Sequence, residues 1–260
     1  MPHATIAGRT IRFEDQGAGG TPLLLLHGGM GCVETLGPLL PALAATRRVI
    51  AADLPGHGGS TMPDGPFSAQ AWADDLAALI SELGLQQVDV AGYSMGGKAA
   101  LRLAIQHPDA VRRLVLVSVA WRRAGNHADV LSTMDAMGPE MAPMLRQSPL
   151  FELFSAVAPD PDGFDAMVLK TAAAVKEDFD WTGEASRITA RPLLVFADAD
   201  SIRPEHVVEV FGLLGGGLRD AGVDGSARPD AQLAVLPGTT HYDITLSPAL
   251  PAVIAPFLDA

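Results

Sequence analysis

Six short apolar runs recur along the chain: PLLLLH (22–27), RRVIAAD (47–53), QVDVAGY (87–93), RRLVLVS (112–118), RPLLVFAD (191–198) and AQLAVLP (231–237). They are mostly unbroken rather than alternating, as expected of strands buried on both faces of a parallel sheet. Helix-like patterns fall between most of them, over 33–45, 68–83, 96–107, 204–214 and 248–258. Strand alternating with helix predicts an α/β fold, with a mostly parallel central sheet and helices on both faces. Residues 10–15, with those before them, predict an antiparallel edge hairpin.

The alternation fails once. From 120 to 188 there is no strand pattern, only helix-like stretches such as 128–137 and 164–177, so this segment is expected to be a helical insertion. The core domain is then formed by 1–119 and 189–260. Five of the nine methionines (Met134, Met137, Met141, Met144 and Met167) fall in the insertion, with Phe151, Phe154, Phe164, Phe179 and Trp181. Such side chains pack helices together, and some of them, Met137, Met141 and Trp181 in particular, are expected to line a substrate pocket. The glycine-rich stretch GGGLRDAGVDGSARPD (215–230) reads as a mobile surface loop.

A chain of 260 residues suits one large α/β domain. Its net charge of −12 disfavours nucleic acid or an anionic membrane surface as partner and leaves a small-molecule substrate, with no oligomeric state specified. There is no uninterrupted apolar run of about 18 residues and no basic-then-apolar start, so a cytoplasmic protein is expected. The single cysteine, Cys32, forms no intramolecular disulfide and fits a reducing compartment as a buried thiol.

The segment VAGYSMGGKAAL (90–101) places Gly92-Tyr93-Ser94-Met95-Gly96, a G-x-S-x-G pattern, between a strand and a helix. A serine thrust out on so sharp a turn adopts strained backbone angles and needs bare neighbours, which makes Ser94 a candidate nucleophile rather than a turn serine. Such a hydroxyl needs a base and an acid to orient that base. His206 lies in a helical pattern and reads as a surface or packing residue. His241 follows the last strand, at the sheet edge where sites assemble, and is the candidate base. Asp200 is the candidate acid, with Asp198 as competitor or loop cap. Oxyanion donors are expected from the backbone N–H groups of Met95 and of Gly29, with Met30 as the alternative to Gly29. The Gly29 loop has no nucleotide-binding pattern beside it.

With HGGMG, DLPGHGGS, GYSMGG, the Asp200 loop and the His241 loop in this order, the chain resembles the α/β-hydrolase superfamily over essentially its full length. The resemblance implies that His57 is structural, that the insertion is a helical cap over the active site, and that catalysis uses no metal and no organic cofactor. A serine at the elbow argues against haloalkane dehalogenases and epoxide hydrolases, which carry aspartate there. Carboxylesterases, lactonases, perhydrolases, carbon–carbon bond hydrolases and a few lyases remain, including one of menaquinone synthesis to which DLPGHGGS and GYSMGG are similar. Lys98, one turn beyond Ser94, reads as a solvated surface lysine, or else joins Met30, Met137, Met141 and Trp181 as a substrate-binding residue. The leading expectation is a serine hydrolase cleaving a small, largely apolar carboxylic ester or lactone through an acyl-enzyme. Its rivals are carbon–carbon hydrolysis or lyase chemistry at the same triad, and a catalytically idle ligand-binding member of the fold.

Overall fold

Eight strands form a single sheet in the computed structural model, which describes residues 2–260. β1 (His3–Ile6) and β2 (Arg9–Gln16) form an antiparallel edge hairpin, and β2 in turn pairs antiparallel with β4 (Val49–Ala52). The rest of the sheet is parallel: β3 (Leu23–Leu26), β4, β5 (Val88–Tyr93), β6 (Val111–Val117), β7 (Arg191–Ala199) and β8 (Gln232–Thr240). These six strands are the six apolar runs. The runs of β3 to β7 are unbroken because their two faces enter different cores, whereas β8, at the sheet edge, leaves Val235 exposed. Leu24, Leu26, Val90, Leu114 and Leu116 join one cluster, whereas Leu23, Leu25, Ala91, Val115 and Val117 join the other.

The helices α2 (Ala69–Glu82), α3 (Ser94–Gln106) and α8 (Pro204–Leu213) pack into the first cluster, and α1 (Leu39–Ala44) and α9 (Ala249–Asp259) into the second. The sheet order is β1-β2-β4-β3-β5-β6-β7-β8, so the chain leaves β3 toward β4 and then crosses back to β5. That reversal opens a crevice beyond the C-terminal ends of β3 and β5, where α/β sheets place their ligands. The helix expected over 33–45 is in fact two pieces, a 3-10 turn at Val33–Leu36 and then α1. Gly37, at φ 50°, takes a left-handed turn and Pro38 follows it, which stops the first piece. Residues 215–230 hold neither helix nor strand.

Between β6 and β7 lie four helices and no strand: α4 (Ala128–Ala136), α5 (Met141–Leu145), α6 (Pro149–Val157) and α7 (Phe164–Lys176). Phe164, Met167 and Val168 of α7 are buried and continuous with the first core cluster. Lys170 fastens the same helix to the core, donating from Nζ to the carbonyls of Pro63, Asp64 and Gly65. At the start of the insertion, the Trp121 N–H donates to His206 Nε2 at 3.0 Å. His206 is therefore a packing residue, fully buried, with its other ring nitrogen 2.8 Å from Glu209. Among the described residues no helix is long and apolar enough to cross a membrane.

Candidate active site

Ser94 is the first residue of α3, directly after β5, and its φ of 51° lies in the left-handed region. A non-glycine residue held there stores about 1–3 kcal/mol of strain. The turn closes because two neighbours lack side chains. A Cβ on Gly92 would stand 2.4 Å from the Gly96 carbonyl oxygen, and one on Gly96 would stand 2.1 Å from that of His27. Helix α3 thus rests directly on the end of β3.

Ser94 Oγ lies 3.0 Å from His241 Nε2, and His241 Nδ1 lies 2.9 Å from Asp200 Oδ1. The three residues follow β5, β8 and β7 in turn, all at the same sheet edge. When Nε2 accepts the serine proton, the neutral ring carries its own proton on Nδ1 and donates it to Asp200. The backbone of His241 is tethered by Tyr93, whose hydroxyl donates to its carbonyl at 2.5 Å.

The Asp200 side chain is only 2% exposed. Burial by itself raises a carboxyl group, but hydrogen bonds from His241, from Ser118 Oγ to Oδ2 (2.6 Å) and from the Ala197 N–H (2.9 Å) outweigh it. Asp200 is held below its ordinary value and stays ionised. Asp198 faces solvent and accepts the N–H groups of Gly238 (2.9 Å) and Thr239 (3.1 Å), tying the end of β7 to β8 as a cap. The two aspartates therefore divide into one that meets the imidazole and one that braces the neighbouring strand.

Two serines that sequence reasoning missed complete this cluster. Ser118, one residue past β6, has a φ of 54° and aims its hydroxyl at Asp200. Ser201 Oγ lies 2.9 Å from His241 Nδ1 and 3.4 Å from Asp200 Oδ1. Ser118 was findable as a polar residue ending a parallel strand beside the elbow strand, the position from which sites in such sheets are built.

The glycine loop after β3 turns at Met30, whose φ is 59°, and closes with the Gly31 N–H donating to Gly28. Gly29 abuts Met95: a Cβ there would meet its Sδ at 3.2 Å. Among the described residues the Gly29 N–H has no acceptor. Met95 is in the first turn of α3, where backbone N–H groups lack intrahelical partners. His27 anchors the loop, taking the Leu54 N–H on Nε2 (3.0 Å) while Nδ1–H donates to Gly28 (2.7 Å). His57 packs against His27, Phe67 and Trp72, and burial, followed by the charge of His27, pushes it down to about 3. Cys32 is buried, and burial pushes its thiol up.

Ser94 opens onto a narrow space of about 60 Å³ bounded by Met95, Lys98, Ser118, Asn126, Met134 and His241, among others. A larger cavity of about 400 Å³ shares Met134, Val175, Ser201 and His241 with it and adds Met137 and Tyr242. Trp181 lies on the other side of Lys98, in a third cavity with Met95 and Phe179. Met137 and Trp181 are thus close to the site, whereas Met30 and Met141 line none of these three spaces. Both are partly buried and pack against the hydrophobic core.

Lys98 also departs from the solvated surface lysine of the sequence reading. It is half-buried, because the insertion covers this part of α3, and its Nζ sits 4.2 Å from the centre of the Phe179 ring. Burial, with the charge of Arg123 second, lowers it to about 8. No group of three or more His, Cys, Asp or Glu side chains among the described residues is placed to hold a metal ion.

Residues 21–187 match the family model of the alpha/beta hydrolase fold. The chain belongs to the α/β-hydrolase family. This α/β hydrolase is 37% identical over 152 residues to 2-hydroxymuconate semialdehyde hydrolase of Pseudomonas sp. (strain CF600), a match covering 56% of the chain and 52% of that relative. It is 33% identical over 205 residues to the pimeloyl-[acyl-carrier protein] methyl ester esterase of Neisseria meningitidis (serogroup A), covering 71% of the chain and 64% of that relative. The chain thus spans about half to two thirds of the length of these curated relatives. Among solved structures, the enol-lactonase from Burkholderia xenovorans LB400 shares the fold, with a TM-score of 0.73, 22% identity and 100% of both chains covered.

Proposed function

We propose that this α/β hydrolase is a serine hydrolase that cleaves a carboxylic ester or lactone through an acyl-enzyme on Ser94. The observation that carries the reading is the unbroken line from Ser94 Oγ through His241 to Asp200, with contacts of 3.0 and 2.9 Å. Ser94 Oγ attacks the carbonyl carbon as His241 Nε2 takes its proton. His241 then returns that proton to the departing alcohol oxygen, and water repeats the sequence on the acyl-serine to release the acid. Asp200 holds the imidazole in the Nδ1–H form and faces the charge it acquires. The N–H groups of Gly29 and Met95 serve the developing oxyanion. The insertion over 120–188 acts as a cap that supplies the apolar walls Met134, Met137 and Val175. A cytoplasmic setting is part of this reading, and the lone buried Cys32 supports it.

The similarity to 2-hydroxymuconate semialdehyde hydrolase favours a second reading, carbon–carbon bond hydrolysis by the same three residues. Rapid mixing with 4-nitrophenyl esters of graded length separates the two. A burst of nitrophenol, with an acyl adduct on Ser94 by intact mass and its loss in Ser94→Ala, is the expected result. A folded enzyme that neither bursts nor acylates would remove the ester reading, and failure to take up a phosphonate would remove the activated serine altogether.

A further inference from the structure

Cations in this protein are as a rule matched to carboxylates. Arg12, Arg47, Arg102, Arg112, Arg122 and Arg123 each contact one. Lys98 is different. It is half-buried, and among the described residues it makes neither an ion pair nor a hydrogen bond, although Glu177 and Asp178 border the cavity on its outer side. A partly desolvated ammonium is costly unless something compensates it, and the face of Phe179 does so only in part.

Its place in the fold gives the missing partner a direction. Lys98 is four residues beyond Ser94 on α3, a spacing that brings Cβ atoms to about 5–6 Å on one helix face. It bounds the same narrow space as Ser94 and His241, and at neutral pH it is still mainly protonated. Met95, Ala120, Met134, Val175 and Ile202 form the apolar part of its walls, and Ser118, Asn126 and Ser201 the polar part.

We propose that Lys98 receives a carboxylate of the substrate, so that the enzyme acts on half-esters of short dicarboxylic acids, with the free carboxylate a few carbons from the reacting carbonyl. This deepens the hydrolase reading and rests on it. The carbon chain lies against the apolar walls, the reacting carbonyl meets Ser94, and the far carboxylate completes the ion pair that the protein leaves open. The preference arises locally, since the net charge of −12 repels an anion at long range.

Calorimetric titration of the Ser94→Ala protein with monomethyl glutarate and with dimethyl glutarate tests it. The half-ester is expected to bind, and adding Lys98→Met should weaken it by roughly tenfold or more, the scale of a lost hydrogen bond between charged groups. Lys98→Arg should retain most of the affinity, and dimethyl glutarate should be indifferent to both changes. Equal half-ester affinity with and without Lys98→Met, in variants whose circular dichroism is unchanged, would overturn the proposal, as would no binding by either compound. A separate assay with the unmutated enzyme and 4-nitrophenyl hydrogen glutarate tells the two readings apart. Lys98-dependent binding without release of nitrophenol leaves the carboxylate site standing and removes the esterase.

Discussion

Ser118 donates its hydroxyl proton to Asp200 Oδ2 across 2.6 Å, gripping the acid from the end of β6, a strand that carries neither Ser94 nor His241. Asp200 is thereby held from three sides, by Ser118, by the Ala197 N–H and by His241. Ser118→Ala removes a charge-assisted hydrogen bond and leaves the carboxylate both freer and more basic. We expect kcat to fall about tenfold with KM little changed. The acidic limb of the kcat/KM profile should move to higher pH, because a more basic Asp200 favours the imidazolium. A purely structural serine would leave that limb in place.

Gly96→Ala and Gly212→Ala should act in opposite directions. The first drives a Cβ to 2.1 Å from the His27 carbonyl oxygen, whereas the second meets nothing within 4 Å inside α8. Denaturant unfolding is expected to show Gly96→Ala destabilised by roughly 3 kcal/mol or more, through overpacking against backbone. Gly212→Ala should gain about 0.5–1 kcal/mol from helix propensity.

Acid stability should carry the signature of His27 and His57. Burial lowers both, His57 to about 3, while in the unfolded chain each takes up a proton near its ordinary value. The unfolded state thus binds more protons below about pH 6.5, and stability must fall as pH drops from there toward 3. Each such group contributes a slope of about 1.4 kcal/mol per pH unit. The lowered carboxyls of Glu34, Asp198 and Asp200 act in the same direction, but only within and below the carboxylate range. Urea midpoints measured from pH 7 to pH 5 should decline, and His57→Leu should flatten the decline.

Lys170 joins α7 to the loop at Pro63, Asp64 and Gly65 through three carbonyls. Lys170→Met should raise amide exchange in α7 and in residues 61–66 while leaving β5 and α3 protected. Uniform loss of protection would mean that the clasp serves the whole fold rather than the insertion.

The parallel strands β3 to β7 were legible because each buries both faces, and Ser94 and His241 because a strand-to-helix serine and a strand-end histidine stand out in such a pattern. Asp200 could be separated from Asp198 only in part. Both follow the same strand, and what divides them is the partner each finds, the His241 ring for one and the β8 backbone for the other. Only the solvated reading of Lys98 fails, because its surroundings come from Phe179, some eighty residues away, and no local pattern on α3 reports that cover. Met137 and Met141 were equally hard to tell apart, because an apolar side chain in an insertion looks the same whether it borders a cavity, as Met137 does, or packs on the core, as Met141 does.

The contact between Gly96 and the His27 carbonyl has a further meaning for how such a fold diversifies. It acts as a spacer of zero thickness, setting by bare backbone how close α3 stands to the loop that carries Gly29, and so the separation of the Met95 and Gly29 amides. That dimension belongs wholly to the sheet and its flanking helix. Met134, Met137 and Val175, which shape the space where a molecule would sit, belong to the segment between β6 and β7. Reactive geometry and molecular fit are therefore calibrated by different stretches of chain, and the second can be recut without resetting the first.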